Sequence, residues 1–301
     1  IEQIRAWLDR NEREGEPRVV DRLNLQGETD LAPEIRYSHL HVLQVAENRE
    51  QAESLEWLRG WKAGRGTPLT QGYFSFAAGG WSADGASLFV TAALDSARHP
   101  DRVDNADVYR LDLPDDGAPE SPPHPVLVLA SERYAYFAPL PSPDGRYLLA
   151  LARDLEDRGY GQTRLHLLDL QSGDLVDLSA EFDRSVSSPA WAADSRSVYF
   201  TANSNGGTPL YRIGLRNLRR GVQVERLTTF ESGVRSYDAG PEGIAYVLTE
   251  VANPYELYAA RADGSRARAL SDFNASWLEG VALSQPLRER LTRPDGTLVE
   301  Y

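Results

Sequence analysis

The chain has 301 residues, 41% of them hydrophobic, enough to bury a large core as one repeat fold or two ordinary domains. It contains no cysteine, which excludes disulfides, thiolate metal sites and cysteine nucleophiles. A net charge of −13 argues against a nucleic-acid partner, because neutralising phosphates takes a surplus of Lys and Arg, and no apolar run approaches the roughly 20 residues of a membrane span.

In chain order, the pattern gives a helix over Ile1–Arg13, a strand at Leu40-His41-Val42, a helix over Gln51–Trp61 and a strand closing at Leu69-Thr70. From there three markers recur in fixed order. The first is a turn: Ser82-Ala83-Asp84-Gly85, Ser142-Pro143-Asp144-Gly145, Ala192-Ala193-Asp194-Ser195 and a degenerate Gly240-Pro241-Glu242-Gly243. Its acidic positions Asp84, Asp144, Asp194 and Glu242 follow one another at 60, 50 and 48 residues. An Asp-Gly pair between apolar runs is a hairpin signal, since Gly accepts positive φ and Asp bonds its own backbone. Trp81 and Trp191 precede two of these turns and read as blade-packing residues; Asp84, Gly85, Asp144, Gly145 and Asp194 read as structural turn residues.

The second marker is a strand with an aromatic or His inside it: Leu40-His41-Val42, Val108-Tyr109-Arg110-Leu111, Leu165-His166-Leu167, Leu210-Tyr211-Arg212 and Leu257-Tyr258-Ala259. The third is a closing Leu-Thr or Leu-Ser at Leu69-Thr70, Leu178-Ser179, Leu227-Thr228 and Leu270-Ser271, with Leu129-Ala130-Ser131 fitting less well. Four strands per unit at this period are the signature of β-propeller blades. No amphipathic helix separates the strands, so a βαβ reading fails. The fold class is therefore all-β, a propeller with about four and a half blades, near 1–75, 76–132, 133–182, 183–232 and 233–275. Such an arc cannot close a ring, so the chain is expected to be part of a larger one. The missing methionines, the start at Ile1 and the stop at Tyr301 in mid-pattern carry the same expectation.

Asp272 to Tyr301 breaks the period: an extended run through Val281, Pro286, then two alternating runs around Pro294-Asp295-Gly296. This exit phrase, with Leu270-Ser271, Asn274, Trp277-Leu278, Val281, Leu283, Pro286, Asp295-Gly296-Thr297 and Val299, resembles the prolyl oligopeptidase family of serine peptidases, closest to its acylaminoacyl-peptidase-like branch. Glu16–Gly27 and His99-Pro100-Asp101-Arg102 resemble strands and loops of the same family's propeller. The resemblance implies a seven-bladed propeller over an α/β-hydrolase domain that follows it, with residues 281–301 as linker and first hairpin of that domain. It implies a Ser-Asp-His triad in the hydrolase domain, hydrolysis of short peptides by acyl transfer, and release of N-terminal or N-acylated residues. No Gly-x-Ser-x-Gly nucleophile elbow exists in these residues, so no catalytic residue is carried over and the chain alone is expected to be inactive.

The expected partners are short peptide substrates, the missing hydrolase domain and the missing N-terminal blades, with no nucleic acid and no membrane. Self-association is compatible with the resemblance, and the expected compartment is the cytoplasm. A gate on the face of the second-to-third-strand loops and inter-blade loops would select substrate termini through Arg98, Arg102 or Glu132, with Tyr134 and Tyr136 as apolar walls. The competing reading of these loops is a solvated charged surface. No metal or cofactor is expected: His39, His41, His99, His124 and His166 make no ligand pair, and Asp101, Asp104 and Asp107 lack the glycine bend and final Glu of a calcium loop. The rival readings are a non-catalytic binding propeller and a propeller enzyme with ligands converging in its central channel.

Overall fold

The computed structural model describes residues 37–43, 66–94, 105–114, 119–156, 161–216, 218, 221–284, 287 and 289–300. The helices expected at 1–13 and 51–61, the strand at 16–27 and the residues Arg98, His99 and Arg102 lie outside them. The described residues form four four-stranded antiparallel sheets, each a meander in chain order. Blade 2 holds β3 (Phe76–Trp81), β4 (Ser87–Ala92), β5 (Asp107–Asp112) and β6 (Val126–Leu129). Blade 3 holds β7 (Tyr134–Pro141), β8 (Tyr147–Asp154), β9 (Arg164–Asp169) and β10 (Leu175–Asp177). Blade 4 holds β11 (Ser187–Trp191), β12 (Ser197–Thr201), β13 (Leu210–Gly214) and β14 (Val224–Arg226). Blade 5 holds β15 (Gly233–Gly240), β16 (Gly243–Glu250), β17 (Asn253–Ala260) and β18 (Arg268–Ala269). Ahead of them, β1 (His41–Val42) pairs with β2 (Thr67–Pro68) as the outer half of blade 1.

Each marker in the sequence now has a physical cause. The Ser-x-Asp-Gly turn joins the first two strands of a blade. Ser82 Oγ donates to Asp84 Oδ1 at 2.6 Å, Asp84 Oδ1 accepts from the Ala86 amide, and Ser82 Oγ accepts from the Ser87 amide. Ser142, Asp144, Arg146 and Tyr147 repeat all three bonds. Gly85 and Gly145 sit at φ 73° and 72°, where a side chain would be strained. In blade 4 Ser195 occupies that position at φ 58°, and its hydroxyl accepts from the Asp144 amide of blade 3, tying neighbouring turns together.

The Leu-Thr or Leu-Ser marker closes the blade by pinning the fourth strand to the third. The amides of Leu69, Leu178, Leu227 and Leu270 donate to the carbonyls of Leu40, Leu165, Leu210 and Leu257. In return the hydroxyls of Thr70, Ser179, Thr228 and Ser271 accept from those same third-strand amides. One short motif thus satisfies two backbone groups where strand pairing ends.

Blades stack on both faces, which explains why β4, β8 and β12 read as almost unbroken apolar runs rather than alternating ones. Leu149, Leu151, Leu165 and Leu167 pack toward Trp191, Val198, Phe200 and Ile213 of blade 4. Leu148, Ala150 and Leu168 pack toward Phe89, Val108 and Leu129 of blade 2. The first strands converge on a common axis: an added Cβ on Gly79 would lie 2.4 Å from Pro139, and one on Gly80 2.6 Å from Pro141. Each first strand also carries a bulge, at Ala78–Trp81, Phe137–Leu140, Ser187–Ala190 and Val234–Ser236.

Two expectations change. Trp81 and Trp191 are not equivalent. Trp191 is buried, donates Nε1–H to the Leu140 carbonyl at 2.9 Å and stacks on Tyr147. Trp81 is 48% exposed, and only the outer half of the blade before it falls within the described residues. The segment after Asp272 is not extended throughout: Ala275–Leu278 forms one helical turn. Beyond it β19 (Arg290–Thr292) and β20 (Leu298–Glu300) make the hairpin expected around Pro294-Asp295-Gly296. Among the described residues no helix is long and apolar enough to cross a membrane.

Candidate gate face and exit segment

Loops from the second to the third strand, and those between blades, emerge on one face. The Tyr136 amide donates to the Ala106 carbonyl across blades, and the Leu155 amide to the Arg133 carbonyl within blade 3. On this face the five gate candidates separate. Arg98 and Arg102 lie outside the described residues. Glu132 is exposed at the mouth of β7. Its neighbour Arg133, absent from the expected set, is fixed by Asp154, a nearly buried carboxylate 2.8 Å from Nε and Nη2. The guanidinium lies over the Tyr134 ring at 5.2 Å, and the hydrogen bond to Asp154 raises its pKa further.

Tyr136 does not wall a passage. It is 1% exposed and points into the seam between blades 2 and 3, because Tyr134, Tyr136 and Ala152 share the face of blade 3 that meets blade 2. Tyr134 shares that orientation at the rim and is half-buried. Both rings meet the imidazole of His166 edge to face, at centroid distances of 4.9 and 5.7 Å.

This end of the seam is polar. The Asn105 amide group donates to the Ser131 carbonyl at 2.8 Å, and Ser131 Oγ accepts from the amides of Arg133 and Tyr134. In the other blades the corresponding hydroxyl closes the third strand; here it opens the next blade instead. Asn105 Oδ1, Asp107 Oδ1, the Tyr136 hydroxyl and both ring nitrogens of His166 are buried without a protein partner. Burial raises the Asp107 carboxyl and the Tyr136 phenol above their ordinary values.

The exit segment is pinned at the same face. Glu256 is 2% exposed, and its carboxylate accepts from Ser271 Oγ, from the Asn274 amide at 3.0 Å and from Asn274 Nδ2 at 2.8 Å. These bonds, Ser271 first, hold its pKa below the usual carboxylate value. Asn274 Nδ2 also reaches the Pro254 carbonyl, and Trp277 Nε1–H donates to Asn274 Oδ1 at 2.9 Å. The Asn and Trp of the exit phrase are therefore anchors for the outgoing chain. Val251, Tyr255, Phe273 and Trp277 leave an exposed apolar rim around them. Glu256 itself gives no signal in sequence, since a single acidic residue in a strand reads as solvent-facing.

Elsewhere, an open depression of about 550 Å³ lies at the opposite end of blade 5, lined by Asp238, Gly243, Ala245, Ala259, Arg266 and Arg268. Among the described residues no group of three or more His, Asp or Glu gathers as metal ligands. His39 and His41 use their ring nitrogens on Thr70 Oγ1 and on the carbonyls of Gly72 and Gly66.

No protein-family model matches the chain, and no curated protein matches it. Solved structures do. An acylaminoacyl peptidase in complex with Z-Gly-Gly-Phe-chloromethyl ketone is similar over 75% of this chain at TM-score 0.56 and 17% identity. The Pyrococcus horikoshii acylaminoacyl peptidase matches over 75% at TM-score 0.54 and 16% identity. Prolyl oligopeptidase B from Galerina marginata matches over 78% at 0.53 and 16%. Each match covers 31% of the other chain, so this chain spans about a third of those proteins. The shared fold is the β-propeller of four-stranded blades.

Proposed function

We propose that this chain is the propeller portion of a serine peptidase of the prolyl oligopeptidase family, and that it gates access of short peptides to a hydrolase domain. The observation that carries the reading is the exit segment. Its family-like residues Ser271 and Asn274 bind one buried carboxylate, Trp277 donates in turn to Asn274, and together they deliver the chain to the face where the gate loops emerge. The similarity in fold to peptidases supports it, among them an acylaminoacyl peptidase in complex with Z-Gly-Gly-Phe-chloromethyl ketone.

In this mechanism the chain does no bond chemistry. A Ser-Asp-His triad in the hydrolase domain performs acyl transfer, and the propeller restricts what reaches it and limits bulk water there. Glu132 and Arg133 present opposite charges at the rim, suited to the ammonium and carboxylate ends of a short peptide. The outgoing hairpin β19–β20 starts the hydrolase domain, whose docking would cover the apolar rim of Val251, Tyr255, Phe273 and Trp277. Release of N-terminal or N-acylated residues is the substrate preference that goes with this reading, and the cytoplasm its compartment.

The test is size selectivity in the intact protein. Hydrolysis of N-acylated di- and tripeptides together with resistance of an unfolded protein of casein size is the expected result. Equal cleavage of both substrates would rule out the gate, and cleavage of neither would rule out the peptidase. A binding propeller is disfavoured by the anchored exit segment.

A further inference from the structure

His166 lies on β9 opposite Ala150 of β8 and Asp177 of β10, facing blade 2. It is 4% exposed, and neither ring nitrogen has a protein partner. The groups around it can be named element by element. From β7 come Tyr134 and Tyr136, edge to face. From β10 comes Asp177, whose Oδ2 is 3.9 Å from Nε2, beyond hydrogen-bond reach. From β9 itself comes Arg164, whose Nη1 donates to the carbonyl of Ser179. β8 contributes only Ala150 and Ala152 before Asp154, which belongs to Arg133. Blade 2 contributes Phe89, Val108 and Leu129, with Asp107 approaching Tyr136.

We propose that the seam between blades 2 and 3 is an acid-sensitive contact, in which protonation of His166 places a charge among these apolar and aromatic groups and loosens the two blades from one another. The inference rests on the blade packing and stands whether or not the chain gates a peptidase. A neutral imidazole fits the seam; an imidazolium there has one carboxylate at 3.9 Å and Arg164 opposing it. Its consequence falls on the gate face, since Tyr134, Arg133 and the Ala106–Tyr136 hydrogen bond all sit at the same end of that seam.

The sign follows from linkage. Burial, the largest cause, and Arg164 lower the folded-state pKa of His166 below its ordinary 6.5, against the opposing pull of Asp177. Above that ordinary value both folded and unfolded chains carry a neutral ring, and the seam is intact. As the pH falls through it the unfolded or opened state takes up the proton first, so the seam weakens until the folded-state pKa is passed.

Hydrogen exchange of the intact protein, corrected for intrinsic rates, reads this at β5 and β7. Between about pH 7.5 and about pH 5.5 their protection should fall by up to about tenfold, the most that uptake of one proton at about 6.5 in the opened state gives over that window. His166→Leu and His166→Gln should each abolish that fall; two variants are used so that a packing defect in one does not decide the outcome. Equal protection of the wild type at both pH values, or an unchanged fall in both variants, would overturn the proposal. So would an NMR titration placing His166 at or above 6.5.

Discussion

Ser179 shows how much a single hydroxyl carries in this fold. It is fully buried, accepts from the Leu165 amide at 2.9 Å and donates to Asp177 Oδ1 at 2.9 Å. Removing the hydroxyl strands a buried amide, so Ser179→Ala should cost about 1–3 kcal/mol in urea unfolding. The half-buried Thr228 plays the same part toward the Leu210 amide, and Thr228→Ala should cost less. An unfolding midpoint unmoved by Ser179→Ala would show that the closing motif is not what pins the fourth strand. The recurrence of Leu-Thr and Leu-Ser was legible in the sequence, but its cause was not, because the bond runs to a strand about 14 residues earlier. Tyr136 and Glu256 were less legible still. Both occupy strand positions whose burial depends on which neighbouring blade or segment covers them, and alternation alone does not encode that.

At the scale of the blade, the turn and the first strand set the geometry. The turn was readable because all its bonds are local: Ser82 to Asp84 and Asp84 to Ala86 fall within five residues. The approach of neighbouring first strands was not, and Gly79 is where it shows. A Cβ there meets both the carbonyl oxygen and the ring of Pro139 at 2.4 Å, against backbone that cannot move aside cheaply. Gly79→Ala should therefore destabilise by about 1–3 kcal/mol or more, measured by denaturant unfolding at constant m-value. A neutral outcome would mean that blades 2 and 3 do not approach this closely at the axis. The polar seam had a faint trace in the sequence: Leu129-Ala130-Ser131 departs from the closing motif, and there Ser131 serves the next blade rather than its own.

Over the whole molecule, the repeat made the all-β propeller readable, because each blade is a local meander whose turns and closing motifs recur. What the repeat could not convey is the difference between faces. One end of the blades carries the rim charges Glu132 and Arg133, the polar seam and the anchored exit. The other end of blade 5 carries an arginine-lined depression. Contacts between blades link residues about 50 positions apart, as from Trp191 to Leu140, so their identity depends on stacking rather than on neighbours in the chain. The gate reading calls for a catalytic serine in a hydrolase domain, and one measurement addresses it: intact-mass spectrometry of the purified protein after reaction with a serine-reactive fluorophosphonate. A labelled species heavier than the 33.4 kDa of this chain, or a labelled fragment that stays associated with it, is the predicted result. A purified protein that takes up no label in any species would contradict the account.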